Sequence, residues 1–155
     1  VKEGHTLGMH SYSHQYKEIY QSMDAFQADY ERISNCLTAA TGIKPLYYRF
    51  PGGSTEVTEK LQMTDLDAYF NAQGASYFDW NVIAANNTTD DVSVNKMVDS
   101  VMNGVALYDT SIVLMYDSVD RKMTAKSLDS ILDYLLKNGY EILPIDENTI
   151  PIHHS

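Results

Sequence analysis

An α/β fold with parallel strands is what this sequence predicts, and three observations predict it. Strand-like and helix-like segments alternate along the whole chain. No Pro/Gly/Ser-rich linker divides them, and residues 112–115 form a continuous apolar run flanked by polar residues, as a strand covered on both faces requires. The implied sheet is open or closed into a barrel. At 155 residues the chain fits a single domain that can bury a core without disulfides or a structural metal.

Residues 6–10 read as a short first strand. Ser22 is placed to cap a helix running to about residue 40, along which Phe26, Tyr30, Ile33, Leu37 and Ala40 recur at intervals of three and four. Gly42, followed by Pro45, supplies its stop. Residues 46–50 make a second strand, ended by Pro51, Gly52 and Gly53. A weaker helical pattern covers 57–71, with Leu61, Leu66 and Phe70 on its apolar side, ahead of a third strand at 75–80. Ser93 opens a third helix that turns Val94, Met97, Val98, Val101 and Met102 inward, and the apolar strand at 112–115 follows. Thr124 caps a helix to about residue 138, with Leu128, Ile131, Leu132 and Leu135 on one face. Gly139 ends it, and residues 140–145 make the last strand.

Composition narrows the function classes. The net charge is −10 and the 11 basic residues are scattered without a stripe, so a nucleic-acid backbone is repelled. No apolar run reaches membrane-spanning length. The single cysteine, Cys36, excludes an internal disulfide, and its helical setting beside Ile33 and Leu37 predicts a small buried hydrophobe. Twelve tyrosines against four phenylalanines suit either a cleft that grips a hydroxylated ligand or plain core and rim packing. Asn86-Asn87-Thr88-Thr89 contains overlapping glycosylation-type tripeptides and reads as a surface loop. The chain opens Val-Lys-Glu-Gly, without Met, and goes almost at once into a strand, which suggests a start inside a longer protein.

In parallel α/β folds the ligand site lies at the carboxyl ends of the strands, and the distinctive residues fall there. His10 and His14 follow the first strand at i, i+4 spacing, which lets both imidazoles reach one ion; on spacing alone exposed or capping histidines are the commoner reading, and a third ligand is not evident. Arg49 sits at the second strand end before Phe50-Pro51-Gly52-Gly53, a fixed cation beside glycines that let backbone come close. Asp79 and Trp80 follow the third strand, an acid beside an apolar wall. Tyr116-Asp117-Ser118 follow the fourth.

Taken in order, GHTLGMHSYSH, YRFPGGS, YFDWN and IVLMYDS, with the tail LLKNGYEILPIDENTIPIHH, resemble the polysaccharide deacetylases, the NodB-homology group also called carbohydrate esterase family four. The resemblance implies a distorted (β/α) barrel and a divalent-metal hydrolase that removes N-acetyl groups from a GlcNAc-containing polymer such as peptidoglycan or a chitin-like glycan. Zinc is the metal implied, with cobalt or nickel as alternatives. By motif match His10 and His14 are metal ligands, Arg49 orients a catalytic carboxylate, and Asp79 tunes the acid that protonates the departing amine. Trp80, Pro51 and Gly52 line the substrate site. The substrate implies an extracellular or cell-envelope location.

Two departures from the family pattern stand out. The Asp-Asp motif that holds the base and the third metal ligand belongs before Val1, so a barrel without its first strands is expected either to associate with itself across the open edge or to be the protease-resistant part of a longer protein. The last position of the Leu-x-His motif is Tyr116, and a phenol with an ordinary pKa of about 10 is a weaker acid catalyst near neutrality than imidazolium. The alternative reading is therefore a glycan-binding pseudoenzyme.

Overall fold

A computed structural model describes residues 1–85, 92–118 and 122–154. The chain divides into two compact units, Val1–Asp79 with Pro144–Ser155, and Trp80–Leu143. The tripeptides at 86–89 lie outside the described residues.

The first unit is built on three parallel strands in the order β1 (Gly8–Met9), β2 (Tyr47–Tyr48), β3 (Ser76–Tyr77). Gly8 stands opposite Tyr47 and Tyr47 opposite Ser76, so three strand ends lie side by side. A short helix α1 (Tyr16–Ile19) precedes the long α2 (Met23–Thr41). The Ser22 side chain accepts from the Ala25 N–H at 3.2 Å, and Gly42 takes the left-handed conformation (φ 75°) with its N–H on Thr38 O at 2.8 Å. Both ends of α2 thus use the residue types whose local chemistry closes a helix.

Helix α3 (Met63–Gln73) starts six residues later than its periodicity suggests. The intervening chain satisfies polar groups without a helix: Ser54–Glu56 make a 3-10 turn, Leu61 N–H donates to Thr58 O at 2.9 Å, and Thr58 Oγ1 donates to Tyr20 O, distant in sequence, at 2.7 Å. Side-chain bonds of this kind compete with helix, and Leu61 reaches the core from a turn instead.

Aromatic rings dominate this core. Phe26 and Tyr30 from α2 meet Tyr48 and Phe50 around β2, Phe70 from α3 and Tyr77 from β3, mostly edge to face, with Phe26–Tyr48 at 5.7 Å and Phe50–Tyr77 at 5.0 Å between centroids. Tyr20, Tyr30, Tyr48 and Tyr77 are buried, so much of the tyrosine bias is core packing. Cys36, expected inside, is exposed on α2; Ser34 is the buried small residue on that helix.

In the second unit β4 (Val82–Ile83) pairs parallel with β5 (Val113–Leu114), flanked by α4 (Val94–Val105) and α5 (Lys122–Lys137). Ser93 caps α4, accepting from Lys96 N–H at 3.3 Å. Gly104 gives α4 a close approach to the sheet, since a Cβ there would lie 2.5 Å from Val82 Cγ1. Val82, Ala84, Val101, Val105 and Ile131 form the core. Helix α5 already includes Lys122, so Thr124 is a first-turn residue and not the cap; Ser127, which donates to Thr124 O, is buried, whereas Leu128 is 41% exposed. β4 was not anticipated, being too short to show alternation.

The expected strand at 140–145 does not form. A strand needs a ladder partner. Here Tyr140 N–H closes the preceding helix on Leu135 O, and Ile145 O accepts from the Thr6 hydroxyl at 2.6 Å.

The Tyr48 hydroxyl is buried without a hydrogen-bond partner among the described residues. Burial pushes its phenol pKa well up. Because an unsatisfied buried hydroxyl carries a desolvation cost, Tyr48→Phe should stabilise the protein by about 1 kcal/mol in urea denaturation; a destabilised variant would show that the hydroxyl is satisfied.

Candidate functional site

The chain leaves β1 at His10. Its Nδ1 lies 2.9 Å from the Arg49 carbonyl oxygen, which can only accept, so Nδ1 carries the hydrogen and Nε2 of the neutral ring keeps a free lone pair. That Nε2 faces His14 Nε2 at 3.2 Å, the rings edge to face with centroids 5.0 Å apart. Two imidazole nitrogens on one tetrahedral ion, with bonds of about 2.0–2.1 Å, stand roughly 3.3 Å apart, so the donor set fits a zinc-type cation. Surrounding protein lowers the His10 pKa; the Arg49 carbonyl opposes this only in part, and the His14 and Arg49 charges add to the lowering. The neutral, ligating form is thereby favoured.

The loop between the two histidines takes uncommon backbone conformations: Ser11 and His14 have φ of 65° and 55°. Helix α2 holds it there. Asp29 accepts from the N–H groups of Tyr12 and Ser13, each at 2.9 Å, and Arg32, one turn on, lies 3.8 Å over the Tyr12 ring. The Ser11 hydroxyl accepts from His14 N–H at 2.9 Å. Partial burial pushes the Asp29 carboxyl up, but the bonds from Tyr12, Ser11 and Ser13 outweigh it and leave its pKa below the usual value.

At the next strand end, Arg49 N–H donates to Met9 O at 2.9 Å and its Nε donates to Phe78 O at 3.2 Å. One residue therefore ties the end of β3 to the His10 ring. Burial lowers the Arg49 pKa, and the Asp79 charge offsets part of that. Asp79 has no exposed surface. Its Oδ1 accepts from Ser54 N–H at 2.9 Å; its Oδ2 accepts from Ser54 Oγ at 2.6 Å and from His154 N–H at 2.8 Å. Gly52 and Gly53, at φ 81° and 94°, make the turn that presents Ser54, and a Cβ on Gly52 would collide with Glu56. Pro51 is buried, its carbonyl held by Tyr20 OH at 2.8 Å.

The first unit thus contains His10, His14, Arg49, Pro51, Gly52 and Asp79. Trp80 and Tyr116 belong to the second unit, both half-buried, Tyr116 two residues past β5. Sequence reasoning missed Asp29, Ser54 and the C-terminal residues that reach Asp79. Among the described residues no group of three or more His, Cys, Asp or Glu side chains comes together as a metal site.

Asp29 has a folded pKa below its unfolded value, so it stabilises the fold above the ordinary carboxylate pKa of about 3.9, and that contribution disappears as pH falls through the folded pKa. The gap in urea midpoint between wild type and Asp29→Asn should be widest near pH 7 and shrink below about pH 4. A gap independent of pH would contradict the role given to the Asp29 charge.

Comparison with known proteins bears on the family. A family model described as polysaccharide deacetylase matches residues 1–70. A Bacillus subtilis (strain 168) protein, YheN, assigned by name to the polysaccharide deacetylases, is 24% identical over 98% of the chain; the chain spans 52% of that relative's length. The solved catalytic domain of a peptidoglycan N-acetylglucosamine deacetylase from Eubacterium rectale ATCC 33656 is similar at 32% identity and a TM-score of 0.89, over 99% of this chain and 71% of that one. A Streptococcus mutans CE4 esterase structure is similar at 26% identity and a TM-score of 0.81, over 93% and 64% of the two chains. The mixed helical and parallel-strand architecture is the one these solved structures share with the chain. On fold and sequence together, the chain belongs to the polysaccharide deacetylase family.

Proposed function

We propose that the protein acts as a metal-dependent hydrolase that removes N-acetyl groups from a GlcNAc-containing glycan, peptidoglycan or chitin-like. The observation that carries this reading is the facing pair of Nε2 atoms on His10 and His14, 3.2 Å apart, with the His10 tautomer set by the Arg49 carbonyl. These two nitrogens would hold a divalent cation, zinc with cobalt or nickel as alternatives. Such an ion supplies Lewis-acid charge at the amide carbonyl and at the attacking water.

The chain's own residues do the rest. Arg49 keeps His10 in its ligating tautomer through its carbonyl, while its guanidinium offers a fixed cation to orient a catalytic carboxylate. Asp79, held by Ser54 and the tail, steadies the acid that protonates the departing amine. Tyr116 stands in the sequence position of that acid. Pro51 and Gly52 line the sugar, and Trp80 stands in the sequence position of the family's apolar wall. A cell-envelope or extracellular location goes with such a substrate. Among the described residues no helix is long and apolar enough to cross a membrane.

Tyr116 also favours a second reading, a glycan-binding protein of the same fold without turnover, since a phenol is a poor acid catalyst near neutrality. Acetate release from GlcNAc oligosaccharides by the zinc-loaded whole protein separates the two. His10→Ala and His14→Ala should each cut kcat/KM by about 10²-fold or more and bring bound zinc below one per chain. Acetate release unaffected by His10→Ala would overturn the metal role, and glycan binding without acetate release would select the second reading.

A further inference from the structure

The C-terminal residues 152–154 make an arrangement that no motif announces. Ile152 O accepts from the Asp79 backbone N–H at 2.7 Å, and two residues on, the His154 N–H donates to Asp79 Oδ2 at 2.8 Å. An extended segment presents alternate residues to opposite sides, so two residues of the tail address Asp79 while the one between points elsewhere. That residue is His153. Its ring stacks on Tyr77 with centroids 3.9 Å apart and planes 12° from parallel, and its Nε2 lies 3.2 Å from Tyr77 O. Tyr77 is the last residue of β3 and itself sits in the aromatic core.

We propose that residues 152–154 are a positioning strap for the Asp79 carboxylate, with the His154 N–H completing its donor set and the His153 ring latching the strap to Tyr77. The physical need is plain: Asp79 has no exposed surface, so water cannot replace a donor lost from it. Among the described residues Ser54 supplies two of the three donors from a glycine-shaped turn, and the third comes from residue 154, in a segment outside any helix or strand that needs a contact of its own to hold it. The stack on Tyr77 is the tie. A segment bonded to the carboxyl group that steadies proton delivery acts on turnover and leaves glycan affinity nearly alone, because it sets the orientation of that group and not the wall of the sugar site. This consequence for turnover rests on the deacetylase reading; the strap itself does not.

The test uses the zinc-loaded whole protein and acetate release from GlcNAc oligosaccharides, beside backbone amide hydrogen exchange. His154→Pro, which removes the N–H donor, should lower kcat by about tenfold with KM changed less than about twofold. His153→Ala should lower kcat in the same way, and His153→Phe, which keeps a stacking ring, should recover most of the loss. In wild type the His154 amide should exchange slowly; in His153→Ala it should lose protection while the amides of α2 keep theirs, showing an intact fold. A His154 amide that exchanges like a free peptide in wild type, or a His154→Pro variant with wild-type kcat, would overturn the proposal. If the wild type releases no acetate, the deacetylase reading fails, and exchange alone decides the strap: protection lost in His153→Ala supports it, and equal protection contradicts it.

Discussion

A carboxylate with no exposed surface must find all its donors within the protein, and in this chain that requirement falls on Asp79. Three donors answer it: the N–H and hydroxyl of Ser54 and the N–H of His154. Ser54 opens a short 3-10 segment, and His154 lies outside any helix or strand. The turn after β2 must carry Gly52 and Gly53 at positive φ to bring Ser54 round, and the C-terminus must run back past β3 to bring His154. One buried anion thereby fixes two irregular segments against one strand end. Removing the carboxyl group would leave the Ser54 and His154 donors without these acceptors, so the geometry is mutually enforced.

Arg49 extends this order to the histidines. Its backbone N–H and carbonyl bond to Met9 and His10 at the end of β1, and its side chain bonds to Phe78 O beside Asp79. The parallel register that sets Gly8 opposite Tyr47 and Tyr47 opposite Ser76 is what puts these strand ends within reach of a single side chain. From the other side, Asp29 and Arg32 on α2 hold the loop of residues 11–13, in which Ser11, like His14 just after it, sits at positive φ. Strain of that kind persists only where the surroundings over-determine it, and here four contacts from one helix and one serine do so. The result is two imidazole nitrogens held facing each other before any ligand arrives.

Much of this was legible in the sequence, for reasons that differ by element. Helix α2 could be read to within a residue because Ser22 and Gly42 bracket a strong three-and-four pattern. The start of helix α3 could not, because Thr58 gives its hydroxyl to the distant Tyr20 carbonyl, a tertiary contact that periodicity does not show. The strands were located, yet each keeps only two ladder residues, and β4 at Val82–Ile83 is too short to show a period. The segment 140–145 looked like a strand by composition but has no partner here, and strand character is a property of pairs. For the site, His10, His14, Arg49 and Asp79 stand out because charged and ligating side chains follow apolar runs. Asp29, Ser54 and the tail work by fixing or lending backbone N–H groups, which no residue type advertises.

The central claim is that His10, in the tautomer the Arg49 carbonyl imposes, and His14 form a cation site through their Nε2 atoms. Anomalous diffraction at the zinc edge from crystals of the zinc-loaded protein tests it most directly. The account predicts a peak bonded to both Nε2 atoms at about 2.0–2.2 Å, with His10 Nδ1 still on the Arg49 carbonyl. A peak on an Nδ1 atom, or one on His153 or His154 with none between His10 and His14, would contradict it.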